Sequence, residues 1–263
     1  MEANVYGLIG IIAPFKAWNV HNDKTGKDAI YGSNRTLKYC IKNHWRMSGY
    51  KVMLITSGNS DEQLTLEERY KDIYGEDFDK DYKESIDNLM EVIDCKHFGF
   101  SYKRNGRKIE QEGAVVIGPG RNIDPTITEQ PALSDMVRYA HPFSINPMLL
   151  ANSCDAEYTD EDFEAFKEAA AGGADLLDSM QDRGCQNEYL LVVKTKTNTF
   201  LKPLDRYLVV EGNEIKLDKL AEYLFGFGKK ILSVDLYYNT ETMTVEDSEK
   251  ARGIIKMHGL NTI

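Results

Sequence analysis

GSNRTLKYCIKNHWRMSG, residues 32–49, follows one apolar stretch and precedes another, and the fold reading turns on it. Ser33 is a residue type that caps helix N-termini, and Gly49 one that ends helices. At about 100° per residue, Leu37, Cys40, Ile41 and His44 fall on one side. Arg35, Lys38, Lys42 and Arg46 fall on another, within an arc of roughly 80°, and no acid interrupts them. The stretch therefore predicts an amphipathic helix with a purely basic face. The whole chain carries 42 acidic against 32 basic residues, a formal net charge of −10, so that face needs a reason.

Outward from this helix, residues 4–13 are rich in Ile, Leu and Val and read as a central strand, and GYKVMLITS (49–57) reads as a second strand. Residues 14–32 read as a loop, with Pro, Asn, Asp and Gly. From Asp61 to Asp94 the pattern is helical and acidic, with a break near Tyr74-Gly75. Its acids read as a solvated face. Cys95-Lys96-His97 reads as a buried thiol beside a strand histidine. Asn105-Gly106 between two strand-like runs predicts a hairpin whose tip carries Lys103, Arg104, Arg107 and Lys108. Residues 119–150 hold five of the seven prolines and read as a long excursion. Thr159 with Asp162 three on opens a helix to about Asp178. NEYLLVVKTKT is a strand turning amphipathic, KLDKLAEYLFGFG a helix with a glycine stop, and KKILSVDLYYN the last strand.

The 263 residues suffice for one large domain, and 42% hydrophobic with 28% charged residues is ordinary for a globular protein. No apolar run reaches the roughly 20 residues that span a bilayer. YGLIGIIAPF lacks a basic region and a cleavage site, so the default expectation is an intracellular, cytoplasmic protein with no membrane partner. Four widely spaced cysteines offer no CxxC, and the five histidines no HExxH, so no metal and no cofactor are expected. Gly118-Pro119-Gly120-Arg121 matches neither nucleotide-loop pattern, which weighs against a doubly wound α/β enzyme. Asp23 and Asp28 are candidate catalytic acids, turn formation being the commoner role of such residues. The basic face is either a solvated surface or a phosphate track; the Gly-Ser helix start, where N–H groups and the dipole favour an anion, supports the second.

In this order the residues resemble the backbone subunits of Class 1 CRISPR effector complexes, the Cas family seven proteins of Cascade, nearest the branch of subtypes I-B and I-C. YGLIGII with its Asn/Gly/Asp loop is similar to that family's first strand and loop, and AIYGSNRTLKYCIKNHW to its first helix. DCKHFGF resembles its D-x-R-x-F-G element, with His97 in the arginine position. GAVVIGPGRNIDP and TDEDFEAFKEAAAGGADLLDSMQDRG resemble its later strand and helix. The N-P-N-G-D-P loop of the branch is replaced by WNVHNDKTG, and Asp124–Asn146 is short for the family's thumb.

The resemblance implies an α+β fold: one RRM/ferredoxin-like βαββαβ palm over residues 1–263, with an acidic helical insertion at about 59–95 and a thumb-like excursion at 119–150. It implies no enzymatic activity, and as partners crRNA, further copies of the chain, other Cascade subunits and target DNA. Ser33, Arg35, Lys38, Lys42 and Arg46 would grip guide-RNA phosphates without reading sequence. Arg121, Lys194 and Lys196 would lie near the track, and Phe143 or Met148 would be the thumb wedge, a core role being equally open to either. Type III relatives cut target RNA with a first-loop aspartate, so the alternative is a metal-dependent endonuclease using Asp23 or Asp28.

Overall fold

The computed structural model describes residues 1–22, 27–53, 65–78, 83–104, 107–124, 127, 129–132, 135–151, 154–181, 184–246 and 248–263. The apolar run near the start forms β1 (Ala3–Ala13). Val5, Ile9 and Ile11 enter one core and Leu8 enters another on the opposite side. A strand buried on both faces loses the polar alternation of a half-buried one.

Residues 14–32, read as a loop, instead hold β2 (Ala17–Asn22) and β3 (Lys27–Gly32), an antiparallel pair. Trp18, Val20, Ile30 and Tyr31 are strand formers, and the existing sheet edge supplies backbone partners that override the turn-rich composition. The predicted helix follows as α1 (Asn34–Met47), with the Ser33 hydroxyl accepting the Thr36 N–H and Gly49 at φ +88° beyond its end. Leu37, Cys40, Ile41 and Trp45 are buried and His44 is half-buried.

The strand expected at 49–57 is absent from its described part: Tyr50–Met53 is irregular, and residues 54–57 lie outside the described residues. The Met53 N–H goes to Asp94 Oδ1 at 2.8 Å rather than to a strand ladder. Helices α2 (Leu66–Tyr74), α3 (Lys83–Met90) and α4 (Ile93–Phe98) come next. A reciprocal Thr65–Glu68 capping box starts α2, and Gly75 at φ +74° stops it at the predicted break. Cys95 and His97 are buried as expected but helical rather than extended, since both lie within α4.

The hairpin predicted around Asn105-Gly106 is β4 (Phe100–Arg104) with β5 (Arg107–Gln111). Then come β6 (Val115–Ile117), β7 (Gly120–Asn122) and β8 (Val137–Ile145). The span 119–150 is thus no single excursion. β8 pairs with β1 along nine residues, including a proline whose missing N–H the register tolerates. The connection between β7 and β8 shrinks to residues 123–136. A short α5 (Met148–Ala151) precedes α6 (Asp160–Gln181), whose Thr159 and Asp162 cap each other as the spacing predicts.

The remainder is β9 (Gln186–Lys196), β10 (Val209–Glu211), β11 (Glu214–Lys216), α7 (Asp218–Phe225), β12 (Ile231–Tyr238), β13 (Thr244–Val245), α8 (Glu249–Arg252) and β14 (Lys256–Gly259). KKILSVDLYYN supplies β12, but two further strands follow it.

The main sheet runs β14-β12-β9-β1-β8-β7-β3-β2, with β6 also on β8. β9, β1, β8 and β7 are antiparallel to their neighbours in that order. One face carries α1 and α6, and the other carries α7 with the small β10–β11–β13 sheet. The small residues of α6 let α1 come close: a Cβ on Gly173 would lie 3.2 Å from the Cys40 carbonyl carbon. The Trp45 Nε1–H donates to the Ala165 carbonyl across the same contact at 2.9 Å. The mixed α+β class expected from the sequence holds. Among the described residues, no helix is long and apolar enough to cross a membrane.

His141 on β8 is fully buried. Burial pushes its pKa from 6.5 to about 4, against a smaller upward pull from the Gly118 carbonyl. Between those values the unfolded chain binds a proton that the folded chain does not, so stability is present above pH 6.5 and declines towards pH 4. The urea midpoint is therefore expected to fall between about pH 7 and pH 5, before most carboxylates titrate. His97, also fully buried and lowered by burial to about 4, adds to the same decline, so a midpoint constant over that interval would contradict the reading of both histidines.

Candidate nucleic-acid interface

The basic face of α1 forms as the sequence predicts, but its four cations differ in setting. Arg35 and Arg46 are exposed, while Lys38 and Lys42 are half-buried. Lys38 Nζ lies 4.9 Å and Lys42 Nζ 5.9 Å from the centre of the Phe98 ring at the end of α4. Burial first, and the neighbouring Lys42 charge second, hold the Lys38 ammonium below its ordinary pKa. Both facts mean that a nearby anion relieves a local cost.

Lys42 is a correction to the acid-free stripe. Its ammonium pairs with Asp94 Oδ2 at 3.1 Å, and Asp94 is fully buried. Residues 42 and 94 lie on different elements, so helical spacing could not reveal the pair. Lys42 is therefore partly structural, and Arg35, Lys38 and Arg46 carry the outward charge.

An open cleft of about 630 Å³ lies alongside. Lys38, Lys42, Phe98, Glu110, Glu112 and Leu149 are among the residues that line it. Its two acids bias the cleft against a second polyanion, so the exposed ridge of Arg35 and Arg46 is the more open path for phosphates. Ser33, at the start of α1, uses its side chain as the cap.

The other candidates do not gather on this face. Arg121 is exposed on β7, opposite Tyr31 of β3. Lys194 is half-buried on β9 with its ammonium 4.4 Å above the Phe163 ring of α6, and Lys196 is exposed at the end of the same strand. Phe143 is no wedge: it is 4% exposed and packs edge-on against Phe166 at 5.2 Å. A Cβ on Gly7 would lie 2.3 Å from its ring, so glycine in β1 makes room for it. Met148, 52% exposed, is the accessible one of the two wedge candidates. Asp23 lies outside the described residues. Asp28 stands on β3 opposite His21, and its side chain is likewise not described. Among the described residues no group of three or more His, Cys, Asp or Glu could hold a metal ion.

No protein-family model matches the chain, and no curated protein matches it. Solved structures do. A chain titled "CRISPR RNA-guided surveillance complex, pre-nicking" is similar at TM-score 0.50 and 12% identity, over 94% of this chain and 97% of that one. A second, titled "CRISPR RNA-guided surveillance complex", gives 0.46 and 9% over the same shares. A Csm3–Csm4 subcomplex of a type III-A CRISPR-Cas interference complex gives 0.34 and 14%, over 79% and 83%. The chain shares its fold with the first of these over nearly the whole length of both.

Proposed function

We propose, from the fold shared with a chain of a CRISPR RNA-guided surveillance complex, that this protein is a non-enzymatic backbone subunit of a type I CRISPR interference complex. It binds guide RNA (crRNA), repeats along it beside other Cascade subunits, and presents it for pairing with target DNA. The palm in this reading is β1–α1–β6/β7–β8–α6–β9. Its support is the strand order β9-β1-β8-β7, antiparallel throughout, with α1 and α6 on one face, which is the βαββαβ arrangement. The thumb is the 123–136 connection, with Met148 beside its return strand as the accessible wedge candidate.

One observation carries the proposal: a helix face with exposed Arg35 and Arg46 and a half-buried Lys38, on a chain of net charge −10. Guide sequences vary, so the subunit must hold phosphates and leave reading to base pairing. Arg121, Lys194 and Lys196 extend this contact at other points of the surface. The acidic remainder of the surface limits non-specific association.

Co-expression with its neighbouring genes and a guide array, followed by purification and sequencing of bound nucleic acid, tests the proposal. Processed guide RNA held in a large particle and released as salt rises is the expected result. A nucleic-acid-free monomer would overturn it. Cleavage of a complementary RNA, lost on Asp23→Ala or Asp28→Ala, would instead establish the metal-dependent endonuclease.

A further inference from the structure

On the sheet face away from α1, three side chains form a row. Trp18 stands opposite Tyr31 across β2 and β3, and Tyr31 stands opposite Arg121 across β3 and β7. Directly opposed residues share a face. Ala17 and Ile30, their neighbours in sequence, are buried in the α1-side core, so Trp18 and Tyr31 point the other way. The two rings lie nearly parallel, 26° apart in plane with centroids 6.4 Å apart. Trp18 is 39% exposed, and Val20, two residues along the same face, is 43% exposed.

Beyond Arg121 the row reaches Ala140 and Gly10, both buried, with the Tyr189 ring packed over Gly10, so the exposed part ends at Arg121. The shelf is therefore aromatic at the sheet edge and ends in a cation. Asp205 lies close enough for the Arg121 and Arg206 charges to oppose the rise that burial imposes on its carboxyl, and its Oδ1 has no hydrogen-bond partner.

We infer that Trp18, Tyr31 and Arg121 form a second nucleic-acid contact, in which unpaired bases stack on the two rings while Arg121 meets the adjoining phosphate. The inference rests on the guide-RNA reading but concerns a different face and a different chemistry. Phosphate contacts on α1 ignore bases; an aromatic shelf needs them. Charge complementarity selects this occupant, because Arg121 is exposed on a strongly acidic chain and a polyanion can share it with Asp205, whereas a purely apolar partner would offer the guanidinium nothing. Tyr31 is also only four residues before Arg35, with the β3–α1 corner between them. A single strand passing over that corner meets the shelf on one side and the basic ridge on the other.

Tryptophan emission tests this on the full-length chain. The only other tryptophan, Trp45, is fully buried and bonded to Ala165, so it supplies a constant background. Single-stranded oligouridylate is compared with an abasic oligonucleotide of equal length and charge. Quenching by the first alone is expected, with Trp18→Ala weakening oligouridylate binding about tenfold and leaving abasic binding unchanged. Oligouridylate that binds without quenching, and binds Trp18→Ala equally well, would overturn the shelf and leave the guide-RNA reading standing. Failure of both oligonucleotides to bind would overturn the two together.

Discussion

Asp94→Ala is expected to lower the unfolding free energy by about 3 kcal/mol, the largest stability effect of any single change considered. Asp94 is fully buried and holds two elements at once. Oδ1 accepts the Met53 N–H at 2.8 Å, and Oδ2 pairs with Lys42 of α1 at 3.1 Å. Alanine removes the acceptor of a buried amide and the counter-charge of a largely covered ammonium. Leaving such groups without those partners costs more than their joint presence contributes. Asp94→Asn keeps an oxygen for Met53 and should lose less. Adding Lys42→Met to Asp94→Ala should recover part of the loss, because the cost lies in a charge stranded away from water. Urea unfolding of the four proteins checks this; equal midpoints for Asp94→Ala and the parent would refute the role of the pair.

Arg35→Glu with Lys38→Glu is expected to weaken retention of guide RNA by on the order of a hundredfold, because two cations that meet phosphates become two carboxylates that repel them. Arg35 is exposed and Lys38 sits over Phe98 at the rim of an open cleft, so the fold should survive. Lys42 is the wrong target for this experiment. Its reversal would place two carboxylates together at Asp94, and a loss of binding would then only report a loss of structure. Equal RNA retention by the double variant at the same salt, with unchanged unfolding, would remove α1 from the interface.

What the sequence displayed was what neighbours in the chain decide. The Ser33 cap, the Gly75 stop, the Thr159–Asp162 box and the hairpin around Asn105-Gly106 each depend on residues within a few positions, and each stands where expected. Elements that depend on distant partners were not displayed. β2 and β3 form against a sheet edge closed by β7, about ninety residues later. Val137–Ile145 looked irregular because of Pro142, yet β1 recruits it into the middle of the sheet. The same division holds at the site. Helical spacing placed Arg35, Lys38, Lys42 and Arg46 together, but it could not show Asp94 beneath Lys42, nor the rings that bury Phe143. Trp18 and Tyr31 escaped notice because a segment read as loop offers no alternation of faces. The signal that could have found them was the strand-former content of AWNVHN and KDAIYG on either side of the polar sequence DKTG.

The claim on which the account depends is that the exposed cations of α1 neutralise phosphates. Its most direct test is the affinity of the full-length chain for unstructured single-stranded RNA as a function of salt. With Arg35, Lys38 and Arg46 engaged, log affinity should fall against log salt with a slope of about −2, and the Arg35→Glu, Lys38→Glu variant should flatten it. An affinity indifferent to salt, or a slope the same in both proteins, would contradict the account and return the basic face of α1 to the solvent.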